Sequence, residues 1–143
     1  MTPTSRGFTL IELVIAMLVI AVLAAIAIPS YRQYVLRSHR VEATAALLAV
    51  SAAQEKFYLQ NDTYTDNLTD DPPDGLGIAD FDAGTAGVQT ENGWYTISID
   101  DADNETYTAR ADATGDQAVD SDCATYTLAA TGTKTATNDK CWD

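Results

Sequence analysis

Glu12 is the one charged side chain in a long apolar stretch, and Gly7 and Phe8 stand shortly before it. A carboxylate in a membrane-length segment costs about 2.5–3.5 kcal/mol to insert, so keeping one there calls for a partner. Cutting the Gly7–Phe8 bond would supply it. Phe8 would then carry a new α-amine four residues from Glu12 on the same helix, and a helix start also favours negative charge. The amine could belong to the same chain or to a neighbour staggered along a filament, where Glu12 would help set register. Cys123 and Cys141 are the two cysteines, an even count that in an exported chain suggests one disulfide. Zinc is the weaker alternative, because it takes four ligands and the one histidine, His39, is distant in sequence.

Other candidate chemistry falls short. Gly132-Thr133-Lys134-Thr135 breaks the spacing of a phosphate loop, and no G-x-S-x-G nucleophile turn occurs. Asp101, Asp103 and Glu105 imitate the start of a calcium loop without its glycine or distal glutamate, and read as a hairpin turn. His39 reads as solvated on a polar helix face. No enzyme activity, cofactor or metal is expected. The formal charge is −13, and from Phe57 onward 18 acidic residues face only Arg110, Lys134 and Lys140. Such a surface repels phosphate, so direct nucleic-acid binding is not expected.

These residues must be positioned by two kinds of segment. Leu13 to Ile28 is apolar without a break, and with Phe8–Leu10 the stretch is long enough for a helix to cross the roughly 30 Å hydrocarbon layer. Only Met1 to Gly7 precede it, whereas a secretory signal has a shorter apolar core with the cut after it. Arg6 would keep this end cytoplasmic and the remainder outside; Arg32, Arg37 and Arg40 run against that rule. Pro29 cannot donate to the Ala25 carbonyl and marks a kink. Beyond it, Val41, Ala45, Leu48, Ala52 and Leu59 recur at helical spacing and are read as the stripe that meets a globular partner. One helix is therefore expected from Phe8 to about Leu59.

Residues 61–93 read as a connecting loop, broken at Asp70-Asp71-Pro72-Pro73-Asp74-Gly75. Alternation over Trp94–Ile99, Thr106–Ala111 and Ala124–Ala130 predicts strands with Tyr95, Ile97, Tyr107, Ala109, Tyr126 and Leu128 on buried faces. Too few for a core of their own, they need the helix as the other layer. The class is α+β: a long N-terminal helix, membrane-spanning in its first half, packed on a small antiparallel sheet.

Arg6-Gly7-Phe8-Thr9-Leu10-Ile11-Glu12-Leu13, followed by the apolar run and Pro29, resembles the leader junction of type IV prepilins. The C-terminal stretch from Cys123 through Gly132 to Cys141-Trp142 resembles PilE-type minor pilins. The resemblance implies the type IV pilin fold, with a leader at 1–7, a membrane and filament-core helix at 8–30, an amphipathic helix at 31–60 and a head at 61–143. It implies cleavage between Gly7 and Phe8 by a prepilin peptidase, N-methylation of Phe8, and assembly contacts through Phe8 and Glu12. It further implies local unwinding around Pro29 and a Cys123–Cys141 bridge. Implied partners are other pilin subunits, the peptidase, the inner-membrane assembly platform and the inner membrane itself. The chain would pass from a single-pass inner-membrane state to an extracellular pilus used in motility, adhesion or DNA uptake. A type II secretion pseudopilin shares the leader and helix and is the alternative; its major form carries calcium where this chain has paired cysteines.

Overall fold

The computed structural model describes residues 7–78, 83–84 and 87–142. The expected leader, apart from Gly7, and part of the loop expected from 61 lie outside the described residues. By internal packing the chain falls into two units, Met1–Val35 and Leu36–Asp143.

One helix, α1 (Leu10–Asn61), begins in the first unit and ends in the second. Thr9 starts it: its Oγ1 accepts from the Glu12 N–H at 3.3 Å, an N-cap bond to the third helical position. The helix continues through Pro29. From Leu10 to Ile28 its large apolar side chains are exposed, so this part needs lipid or other helices around it. By length and composition α1 contains a segment able to cross a membrane. It ends where Asp62 takes a left-handed φ of 54° and returns its N–H to the Tyr58 carbonyl at 2.9 Å.

In the second unit the sheet is a six-stranded antiparallel meander: β1 (Ala83–Gly84), β2 (Gly87–Gln89), β3 (Tyr95–Asp100), β4 (Thr108–Ala113), β5 (Thr125–Ala129) and β6 (Lys134–Ala136), paired in sequence order. β3, β4 and β5 match the three strands expected from alternation. On the central strand, Ala111 lies between Ile97 and Tyr126, and Ala109 between Ile99 and Leu128. Small residues flanked by large ones leave room for the helix against the middle of the sheet.

The helix does supply the second layer, with a face other than the expected one. Ala43, Leu47, Val50, Gln54 and Phe57 are buried, whereas Val41, Leu48 and Leu59 are exposed. The two stripes lie on nearly opposite sides of α1. Gln54 explains the misreading: a polar residue interrupts the true stripe and weakens its apolar signal. Inside, Gln54 Nε2 donates to the Thr65 carbonyl and its Oε1 accepts from the Thr65 N–H, pinning the following loop to the helix. That loop is shorter than expected, because β1 and β2 lie within the region read as loop.

Candidate functional site

Two places matter: the start of α1, and the end of the head where the helix meets the disulfide loop. At the first, Gly7 and Phe8 precede the helix and are exposed. A Cβ added at Gly7 would meet nothing within 4 Å among the described residues, so the fold itself does not demand glycine there. Glu12 sits in the first turn of α1. Thr9 and Glu12 stand at N-cap and third position, the spacing of a capping box. Sequence reasoning passed over Thr9, although T-x-x-E before an apolar run signals such a cap.

At the second, the structure joins Cys123 to Cys141, with Cα atoms 5.7 Å apart. The bridge ties the start of β5 to the 3-10 turn Asp139–Trp142. Trp142 Nε1 then donates to the Thr135 carbonyl at 2.8 Å, while Lys134 Nζ lies 5.1 Å from the Trp142 ring centroid. The segment that imitates a phosphate loop is thus a turn and the edge strand β6.

Beside the bridge runs a buried polar network that the sequence did not reveal. Arg40 donates to both oxygens of Asp120 at 2.7 Å, and Asp120 is almost fully buried. The hydrogen bond to Asp120 holds the Arg40 guanidinium above its usual pKa. Gln117, wholly buried in the 3-10 turn Gly115–Val119, places Nε2 at 3.1 Å from Asp120 Oδ2, Tyr95 Oη and the Leu36 carbonyl. His39 is not solvated: it is half-buried, stacks on Trp94 with centroids 4.1 Å apart, and its Nδ1 lies 3.0 Å from Gln117 Oε1. Burial raises the Tyr95 phenol above the ordinary tyrosine value. The bonds that join Leu36, His39 and Arg40 of α1 to Gln117 and Asp120 span 78 to 81 residues of sequence, with no local spacing to announce them. The network clamps α1 to the head; it holds no nucleophile paired with a base.

Asp103, in the turn after β3, uses its Oδ1 to accept from the N–H groups of Glu105 and Thr106, and those bonds lower its pKa. The carboxylate is a turn cap.

A family model described as "Type IV minor pilin ComP, DNA uptake sequence receptor" matches residues 29–127, most of the chain. The chain belongs to the type IV pilin family. A second model, the prokaryotic N-terminal methylation motif, matches residues 3–28 of this pilin. A type IV major pilin protein of Neisseria gonorrhoeae is 35% identical over 104 residues, covering 69% of this chain and 60% of that protein. One from Myxococcus xanthus is 47% identical over 64 residues, covering 45% of this chain and 29% of that protein. The pilin therefore spans less than two thirds of the length of these curated relatives. A solved type IV pilin from Shewanella oneidensis shares the fold with a TM-score of 0.52 at 20% identity, over 76% of this chain and 98% of that one. The pilin fold and the apolar helix agree with what the leader-like junction implied, and the Cys123–Cys141 bridge with what the cysteine count and the C-terminal resemblance implied.

Proposed function

We propose that this pilin is made as a precursor, cut by a prepilin peptidase between Gly7 and Phe8, and methylated on the Phe8 amine. The apolar half of α1 then holds it in the inner membrane until the assembly platform adds it, as a minor subunit, to a type IV pilus serving DNA uptake. The match of the minor-pilin model over residues 29–127 carries this reading, and the methylation motif over residues 3–28 supports the processing step. The exposed stripe of Val41, Leu48 and Leu59 supports assembly, because it needs a partner outside the chain and neighbouring pilins provide one. Glu12 would set register against a neighbour's Phe8 amine, and Pro29 would allow local unwinding.

Direct contact with DNA is a separate matter. From Phe57 on, the head carries 18 acidic side chains against three basic ones, so its long-range field repels duplex phosphate. In this reading the DNA step belongs to the filament as a whole.

The test is mass spectrometry of pili sheared from cells that express the chain, together with DNA uptake by a deletion strain. The expected subunit begins at methylated Phe8 and is scarce, and the deletion lowers uptake while filaments persist. A chain that keeps residues 1–7 and never enters a filament would overturn the proposal. The curated relatives named as major pilins favour a second reading, a major subunit, which copy number per pilus distinguishes. The Cys123–Cys141 bridge favours the pilus over a secretion pseudopilin; a calcium-dependent melting temperature would reverse that preference.

A further inference from the structure

Arg32, Arg37 and Arg40 follow the apolar run on its outward side, where the charge rule for membrane proteins does not place them. The structure gives them different surroundings. Arg40 is taken up by the buried Asp120. Arg32 and Arg37 are exposed and have no ion pair among the described residues.

A residue from the far end of the chain joins Arg37. A cleft of about 520 Å³ runs between α1 and the disulfide loop, lined by Arg37, Arg40 and Val41 on the helix and by Asp122, Lys140 and Trp142 on the loop. Lys140 is exposed and, among the described residues, has no ion pair either. Arg40 answers Asp120, so Arg37 and Lys140 stand against the single carboxylate of Asp122. The cleft is left positive in a strongly acidic head. Val41, Trp142 and the Cys123–Cys141 bridge make part of its wall apolar. Two cations beside an apolar wall suit a small anion joined to a hydrophobic group, such as the phosphate ester of a lipid.

α1 brings the cleft near the bilayer. The helix is unbroken from Leu10 to Asn61, and Arg37 comes nine positions after Ile28, where the apolar run ends. Nine residues are about 14 Å of helical rise, and the headgroup layer occupies about the first 5–8 Å of it. Helical side chains lean toward the N-terminus, here toward the lipid, and a long arginine reaches further still. The guanidinium of Arg37 can therefore meet a headgroup. Tyr31 and Tyr34 are exposed in the turns between, as aromatic side chains are at a membrane surface. Positions 34, 37 and 41 share one side of the helix by spacing.

We propose that, while the chain is held in the membrane, the cleft between α1 and the disulfide loop binds the phosphate headgroup of an anionic phospholipid. The inference rests on the inner-membrane reading above. It concerns the subunit before assembly, so it does not depend on how many copies a pilus contains. The acidic head repels soluble polyanions at long range, but the span keeps the cleft at the lipid surface, where a high effective concentration fills even a weak site. Duplex DNA has no such tether, and its binders neutralise many phosphates at once where this cleft offers two free cations. A bound lipid holds the positive side of the head against the bilayer, and extraction into a filament has to break that contact.

The test uses the full chain inserted in bilayer discs made of equal parts phosphatidylcholine and phosphatidylglycerol. After transfer to mild detergent, the lipid that stays bound is measured by mass spectrometry. Wild type is expected to retain phosphatidylglycerol at least about tenfold over phosphatidylcholine, since each basic side chain near an anionic surface contributes about fivefold. Arg37→Gln/Lys140→Gln is expected to bring the ratio to within about twofold of unity, and Arg37→Lys to preserve the preference. Neither side chain makes a hydrogen bond or ion pair among the described residues, and an unchanged melting temperature checks that the variants fold. Equal retention of the two lipids by wild type overturns the proposal. Enrichment that survives in the double variant also overturns it, and its loss in Arg32→Gln then assigns the lipid to an arginine outside the cleft. Displacement of the lipid by inorganic phosphate or by duplex DNA at equal concentration makes the cleft a site for soluble anions and overturns the proposal as well. A chain that does not enter the discs defeats the membrane reading instead, and this inference with it.

Discussion

The Arg40 guanidinium meets the Asp120 carboxylate in a two-point contact, Nε to Oδ2 and Nη2 to Oδ1, both at 2.7 Å and across 80 residues of chain. The Asp120 side chain is 3% exposed and that of Arg40 17%. Removing Arg40 leaves a buried carboxylate whose remaining side-chain hydrogen-bond partner among the described residues is the Gln117 amide, and breaking such a pair costs about 3–5 kcal/mol. Arg40 keeps some contact with solvent, so we expect Arg40→Ala to fall at about 3 kcal/mol. Replacing both partners with apolar residues should cost less than either single change, since no charge is then stranded. Thermal unfolding of the full chain in detergent, run as a double-mutant cycle, measures the coupling; additive losses would count against the pair.

The two stripes of α1 give a sharper comparison, because Leu47 and Leu48 are neighbours with opposite surroundings. Leu47 is fully buried against the sheet and Leu48 is half exposed. Leu47→Ala should destabilise the head by about 2–5 kcal/mol. Leu48→Ala should leave its stability within about 0.5 kcal/mol, as surface changes usually do, yet reduce recovery in pili. Equal losses of stability would mean that Leu48 also belongs to the core.

Those neighbours mark how far the sequence could be read. The membrane-length run, the leader-like junction and the three alternating strands were all visible, because each is a local pattern with a fixed period. The side of α1 that packs was not. Its alanines serve either face, and Gln54 breaks the true stripe for a reason, the pairing with Thr65, that exists only after folding. β1, β2 and β6 are two or three residues long, too short to alternate detectably. The His39, Gln117 and Asp120 network depends on contacts between residues far apart in the chain. The disulfide was expected from a bare count of cysteines, yet its role in seating Trp142 on the Thr135 carbonyl needed coordinates.

That seating sets the expectation for reduction. Cys123 and Cys141 are 18 residues apart, and a loop of that size contributes about 3 kcal/mol in the chain-entropy account. Reduction also frees the turn that holds Trp142 against β6, the last strand of the sheet. We expect a Cys123→Ala/Cys141→Ala variant to melt lower and to show solvent-quenched Trp142 fluorescence, read in a Trp94→Phe background. An unchanged emission maximum would show that the turn stays seated without the bridge.

Tyr95, Tyr107 and Tyr126 are fully buried, and burial raises all three phenols above their ordinary value. The folded state therefore keeps these protons at a pH where the unfolded chain, titrating near about 10, begins to lose them. The unfolded state then binds fewer protons than the folded one, so stability is constant below that value and falls as pH rises through it. Tyrosinate absorbance at high pH should appear in two stages, with these three residues ionising only as the head unfolds. A single smooth titration of all seven tyrosines with the fold intact would contradict this.

At the start of α1, two accounts of Glu12 predict different chemistry for the same substitution. As a partner for the Phe8 amine, Glu12 acts through its charge. As the third residue of a capping box begun by Thr9, it acts through a side-chain oxygen that glutamine also has. Glu12→Gln retains the cap and removes the charge, whereas Thr9→Ala removes the cap and retains the charge. Loss of the cap costs the helix about 1 kcal/mol, which a long helix in lipid tolerates. We therefore expect Glu12→Gln to block entry into pili while Thr9→Ala assembles, with both chains processed after Gly7. Gly7→Ala, which the fold accommodates, should leave the chain uncut. Glu12→Gln subunits recovered in pili at wild-type levels would assign Glu12 to helix capping and leave register to other contacts.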